Sequence, residues 1–155
     1  MSTQLKVGIL IVDDDRVLLI KEKDNPESPM RWNFIKGTYD EELDKTITGA
    51  AIRECREEAC VEVELTDALG CYFSNIDGKT RAQFNFLAKI TDGTPSVPPA
   101  DEQRRHDEDI SEVRWFSAEE LRSMPPEEFI SEKTRIALMD HLRGIHYPLG
   151  IFREL

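Results

Sequence analysis

Between Thr46 and Cys60 the sequence reads TITGAAIRECREEAC, and this segment constrains the fold more than any other. Ile47, Ala51, Cys55 and Ala59 recur at intervals of four, with Ile52 beside them. That spacing predicts a helix with one apolar stripe, which has to be laid against a core. Glu54, Glu57 and Glu58 fall within an arc of roughly 100° that adjoins the stripe. Acids three and four residues apart repel by about a few tenths of a kcal/mol per pair even on an open surface. At the edge of a core the repulsion is less screened and ionisation is less favourable. Side chains lean toward the helix N-terminus, so Glu54 lies over the small Ala50 and Glu58 over Glu54, with space above the row. Converging oxygen ligands beside open space suit a hard divalent cation such as Mg²⁺. Arg53, four residues before Glu57, is placed to pair with it and fix its orientation. The helix alone also fits a solvated mixed-charge face. Three acids against the apolar stripe, rather than opposite it, are what that alternative handles poorly.

The chain of 155 residues is long enough for one domain, residues 1–155, around a single core. Its formal charge of −11 argues against nucleic acid or an anionic membrane surface as the main partner. An anionic substrate would therefore need a cation or a local basic patch. The three cysteines, Cys55, Cys60 and Cys71, are odd in number and include no C-x-x-C, so neither a disulfide framework nor a zinc site is expected. The N-terminal apolar run is too short for a signal peptide or membrane span. A reducing, cytoplasmic compartment is the simplest reading.

Along the chain, residues 5–12 and 16–22 read as strands around an Asp13-Asp14-Asp15 turn, and 31–37 as a short strand ending at Gly37. VEVEL (61–65) alternates as a half-buried strand, and 70–90 reads as two strands around Asp77-Gly78. Residues 91–109 read as a long polar loop of the kind that borders a site. EVRWF (112–116) is a further strand. Ser117 and Glu120 form a capping box for a helix at 117–124, and 126–144 reads as the last long helix. The tail 145–155 is apolar enough to pack on the body or on a partner subunit, which leaves a homodimer open. Mixed strands and helices favour a layered α/β or α+β domain.

The segment from Gly37 to Val61, GTYDEELDKTITGAAIRECREEACV, resembles the Nudix box. That signature is a glycine, five residues, a glutamate, seven residues, then Arg-Glu-aliphatic-x-Glu-Glu-x-Gly-aliphatic. Arg53-Glu54-Cys55-Arg56-Glu57-Glu58 matches, with cysteine in the aliphatic place, and Val61 closes the motif. RWNFIKG is similar to the tryptophan-containing strand and Lys-Gly turn that often open the box. EVRWFSAEEL is similar to a late strand-and-helix segment of the family. Three departures stand out. Gly37 to Arg53 is two residues longer than the signature. Lys45 stands where strict spacing puts the first glutamate, with Glu41, Glu42 or Asp44 as substitutes if the loop bulges. Cys60 replaces the glycine at the helix end, which implies a different exit from the helix or local strain.

The resemblance implies an α/β fold, an α/β/α sandwich with a mixed β-sheet between helices. It implies a hydrolase that cleaves a diphosphate linkage in a nucleoside diphosphate joined to another group, by water attack at phosphorus with Mg²⁺ or Mn²⁺. By motif position Glu57 and Glu58 would be metal ligands, Glu54 a further ligand directly or through water, and Arg53 would orient a glutamate. Gly37 would allow close backbone packing, and Lys36 would approach a phosphate. The base would be Glu54 or an acid of the 101–112 stretch: Glu108, Asp109 or Glu112.

From the residues themselves, Lys79 and Arg81 after the Asp77-Gly78 turn read either as phosphate contacts or as exposed hairpin cations. His106, His141 and His146 read as surface histidines. Trp32, Phe34 and Tyr72 could stack on a base, but read first as core, as do Phe84 and Phe86. Two other functions stay open: a Nudix-fold nucleotide-binding or regulatory module without turnover, and an acidic interaction domain without a small-molecule pocket.

Overall fold

The computed structural model describes residues 2–155. Among these, eight strands and four α-helices follow the chain as β1 (Ser2–Asp13), β2 (Arg16–Glu22), β3 (Arg31–Asn33), β4 (Ile35–Thr38), α1 (Ile47–Ala59), β5 (Glu62–Ile76), β6 (Lys79–Asp92), α2 (Ala100–Arg105), β7 (Ile110–Ser117), α3 (Ala118–Ser123), α4 (Glu132–Leu142) and β8 (Tyr147–Pro148). The strands form one mixed sheet ordered β3-β2-β1-β6-β5-β8, with β4 also on β1 and β7 on β2.

β1 is central because its interior is apolar on both faces: Val7, Ile9, Leu10 and Ile11 are fully buried. Strand alternation sends Val7, Ile9 and Ile11 to one side and Leu10 to the other. The first set packs with Phe86, Ala88 and the α1 stripe of Ala51, Cys55 and Ala59. Leu10 packs with Phe34, Leu69, Leu87 and with Ala137 and Leu138 of α4. Helices therefore cover both faces of the sheet, as the resemblance implied. Each fully buried Ile, Leu or Phe contributes roughly 1.5–3 kcal/mol.

β1 runs parallel to β6 from Ser2↔Lys79 to Ile11↔Ala88, and antiparallel to β4 from Lys6↔Thr38 to Ile9↔Ile35. Its pairing with β2 lasts only two residue pairs, Val12↔Val17 and Asp13↔Arg16. The expected Asp turn is present, with Asp14 and Asp15 both at positive φ as a tight hairpin requires. β2 then leaves β1 to pair with β3 and β7.

Several expectations need correction. RWNFIKG is not one strand: it breaks at Phe34, because β3 joins β2 while β4 joins β1. VEVEL and the first half of 70–90 are one strand, β5, whose bulges near Thr66 and Leu69 keep it paired with β6. The polar stretch 91–109 contains helix α2. The last helix starts at Glu132 rather than 126, since Ser131 caps it through Thr134 N and a 3₁₀ turn occupies Pro126–Glu128. The Ser117–Glu120 capping box forms as expected.

Trp32 and Phe34 are buried, Phe84 is half-buried against the core, and Tyr72 donates its hydroxyl to Asp140 at 3.0 Å. At the C-terminus β8 pairs with Asp67 and Ala68 of β5. Phe152 packs edge-on against Phe84 and at a tilt against Phe86, and Thr48 donates its backbone N–H and hydroxyl to Glu154. No helix among the described residues is long and apolar enough to cross a membrane.

Candidate active site

Helix α1 carries most of the candidate residues, and its ends explain its placement. Thr46 accepts from Gly49 N at 2.9 Å and starts it. Cys60 ends it at φ 59°, ψ 34°, the left-handed conformation that a glycine would supply. The exit is thus the ordinary one, and the strain falls on the cysteine. Because Ala50, Ala51, Cys55 and Ala59 are small, α1 lies close to the sheet. Glu54 and Glu58, on the flank of that stripe, are carried down to 5% and 2% exposure.

One guanidinium organises the flank. Arg53 donates Nε to Asp44 Oδ1 and a terminal nitrogen to Asp44 Oδ2, both at 2.8 Å. Its other terminal nitrogen donates to Glu54 Oε1 at 2.8 Å and Glu57 Oε2 at 3.1 Å. Asp44 is therefore the acid of the lengthened loop that meets Arg53. The two extra residues close on themselves: Asp44 N donates to Asp40 O, and Asp40 N donates to Asp44 Oδ2 at 3.0 Å. Glu41, Glu42 and Lys45 are left in solvent. The hydrogen bonds from Arg53 hold the Asp44 carboxyl below its usual range and raise the Arg53 pKa.

Gly37 sits in β4 directly against this flank. A Cβ there would lie 1.8 Å from Glu54 Cδ, so only glycine leaves the carboxylate in place. Its neighbour Lys36 offers a backbone N–H to Glu58 Oε2 at 3.4 Å. The Lys36 side chain turns the other way, donating Nζ to Thr134 Oγ1 at 3.0 Å. Burial and the nearby Lys133 bring its pKa down to about 8.

The tightest acid cluster is not apparent from the helix alone. Glu22, Glu58 and Glu108 each bring a carboxylate oxygen within 4.8 Å of the others. Glu22 ends β2, where a register shift interrupts pairing with β7. Glu108 follows α2, in a turn held by Gln103, which accepts from Ile110 N at 2.7 Å and from Glu108 N at 2.8 Å. Asp109 faces Lys23 at 3.9 Å, and Glu112 is exposed on β7, so neither joins the cluster. His106 Nδ1 lies 3.7 Å from Glu57 Oε2, at the rim of the site rather than on remote surface. Nothing in the residue order singles out Glu22; a carboxylate ending an apolar strand is the one signal it leaves.

Burial, then mutual repulsion, raises these acids. Glu22 and Glu54 are pushed up to about 7, Glu108 to about 8, and Glu58 well above the usual carboxylate range. Arg53 and Asn33 offset only part of this for Glu54 and Glu22. Among the described residues, Glu58 has one hydrogen-bond donor, the long contact from Lys36 N. Crowded, under-satisfied carboxylates of this kind fit a hard divalent cation. The acids line a cleft of about 1290 Å³, together with Lys36, Gly37 and Arg81. Arg81 is half-buried, whereas Lys79 is exposed.

Residues 2–138 match the family model described as NUDIX domain. Among solved structures, a NUDIX hydrolase from Nitrosomonas europaea aligns with TM-score 0.81 at 22% identity, covering 99% of this chain and 98% of the other. A MutT NUDIX hydrolase from Burkholderia pseudomallei aligns with TM-score 0.69 at 27% identity over 90% and 98%. The NUDIX domain of Shewanella oneidensis NrtR, complexed with ADP ribose, aligns with TM-score 0.65 at 15% identity over 93% and 88%. No curated protein sequence matches.

Proposed function

Since the chain belongs to the NUDIX family and is a hydrolase acting on phosphorus anhydrides, we propose that it is a Mg²⁺- or Mn²⁺-dependent pyrophosphohydrolase. Its substrate is a nucleotide-like small molecule of the nucleoside diphosphate-X type, cleaved by water attack at phosphorus. The observation that carries this reading is the convergence of Glu22, Glu54, Glu57, Glu58 and Glu108 on one cleft.

Glu58, Glu22 and Glu108 would hold the cation, with Glu54 and Glu57 beside them. When bound, such an ion neutralises diphosphate oxygens and acidifies a water. Arg53 fixes Glu54 and Glu57 through its forked contacts and so positions them. Glu54 Oε1 is occupied by Arg53, which leaves Oε2 as the atom to take a proton. Glu108 is the second base candidate on the same cleft. The free thiols of Cys55, Cys60 and Cys71 accord with a cytoplasmic setting.

The test is phosphate or pyrophosphate release from a panel of nucleotides with Mg²⁺ or Mn²⁺, comparing wild type with Glu58→Gln and Glu57→Gln. Metal-dependent turnover lost in Glu58→Gln supports the reading. Nucleotide binding without turnover in wild type rejects hydrolysis in favour of a binding module.

A further inference from the structure

Among the described residues, nine of the chain's 20 basic residues lie within 4.0 Å of an acid. Of those without such a partner, Lys6, Lys36, Arg81 and Lys133 line the same cleft as the acid cluster.

The topology gathers them from four distant parts of the sequence. In the register of β1, Gln4 faces Arg81 and Lys6 faces Gln83 on β6, while Gly8 faces Lys36 on β4. Residues two apart share a face, so Lys6, Lys36 and Arg81 stand on one side of the sheet. That is the side covered by α4, whose first turn brings Lys133 over them and ties Lys36 down through Thr134. Ser131 and Lys133 also place the positive end of α4 at the cleft. The crowding is felt electrostatically: burial, then Lys6 and Arg81, lowers the Lys133 pKa. Arg81 Nε is buried without a hydrogen-bond acceptor. Four cations gathered in one cleft of an acidic protein, one of them with a buried donor unfilled, favour an anion from outside.

We propose that Lys6, Arg81 and Lys133 form a subsite for a terminal phosphate group of the substrate, next to the acid cluster that receives the scissile linkage. This rests on the hydrolase reading and sharpens it. The group X is itself anionic, so the enzyme takes nucleotides ending in a free phosphate, such as nucleoside triphosphates. Diphosphates capped by neutral sugars leave the cations unmatched.

Two measurements test this independently. In EDTA, calorimetry with inorganic tripolyphosphate should show binding to the full chain that weakens with salt. Affinity should fall about tenfold or more in Arg81→Gln/Lys133→Gln and recover in Arg81→Lys/Lys133→Arg. Thermal melts establish that each variant is folded, and Lys6→Gln, also in the cleft lining, supplies a single-site check in the same direction. With Mg²⁺, the Gln variants should raise KM for a nucleoside triphosphate by about tenfold while changing that for a nucleotide sugar less than about twofold. Equal effects on both substrates, or unchanged tripolyphosphate affinity, would overturn the subsite. Tripolyphosphate binding through these cations with no hydrolysis of any nucleotide would sink the hydrolase reading while leaving the anion site standing.

Discussion

Asp44 and Arg53 meet through two parallel hydrogen bonds of 2.8 Å, and the same guanidinium reaches Glu54 and Glu57. The lengthened loop is thereby pinned to the acid face of α1. Breaking a buried pair leaves one charge uncompensated, at about 3 kcal/mol or more. Asp44→Asn should lower stability by roughly that amount in urea unfolding and lower kcat about 10–100-fold through misplaced Glu54 and Glu57. Glu41→Gln and Glu42→Gln, both in solvent, should leave stability and kcat unchanged.

Gly37→Ala puts a methyl where Glu54 Cδ now lies. The helix or β4 has to move, costing about 1–3 kcal/mol. Mn²⁺ affinity measured by calorimetry should fall with it, by about tenfold or more. Wild-type metal affinity in Gly37→Ala would mean that Glu54 does not set the site.

Cys60 holds a left-handed conformation that costs a side-chain-bearing residue about 1–2 kcal/mol. Glycine removes that strain but loosens the unfolded chain by about 0.4–1 kcal/mol. Cys60→Gly should therefore stabilise the protein by about 0.5–1 kcal/mol in denaturant titration, without altering activity.

The pH dependence of metal-free stability has a definite sign. Glu22 and Glu54 have folded pKa values raised from 4.5 to about 7, and Glu108 to about 8. Between 4.5 and about 8 the native state binds more protons than the unfolded state, so stability falls as pH rises. Lys36 is lowered from 10.5 to about 8, so between those values the native state binds fewer protons and stability rises with pH. Melting in EDTA should show a minimum near pH 8, the value at which both trends turn. Adding Mg²⁺ or Mn²⁺ should remove the decline on the acidic side, because a bound cation favours the ionised carboxylates. A flat profile in EDTA would mean that these acids are not crowded in solution.

Helix α1 is legible in the sequence because its information is local. The four-residue recurrence from Ile47 to Ala59 lies within one segment, and the crowding of Glu54, Glu57 and Glu58 follows from helix geometry alone. The Asp14-Asp15 and Asp77-Gly78 turns are readable for the same reason. The stretch 91–109 reads as a loop because proline and charge dominate its composition, while the short α2 is held by Gln103 through contacts that composition does not encode. Phe34 reads as the middle of one strand, since nothing local says that β3 and β4 part there to join different neighbours.

What the amino-acid order determined alone was which carboxylates share a helix face and that this face borders the core. Which other groups stand opposite was decided by the tertiary structure. Glu22 and Glu108 reach Glu58 only because β2 leaves β1 after two residue pairs and Gln103 folds the following turn back. Asp44, rather than Glu41 or Glu42, reaches Arg53 because Asp40 and Asp44 close the loop. Lys6, Arg81 and Lys133 meet because a parallel pairing joins strands far apart in sequence and α4 packs across them. A helix sets its own neighbours at about 1.5 Å per residue, whereas strand partners are chosen by burial of the whole sheet.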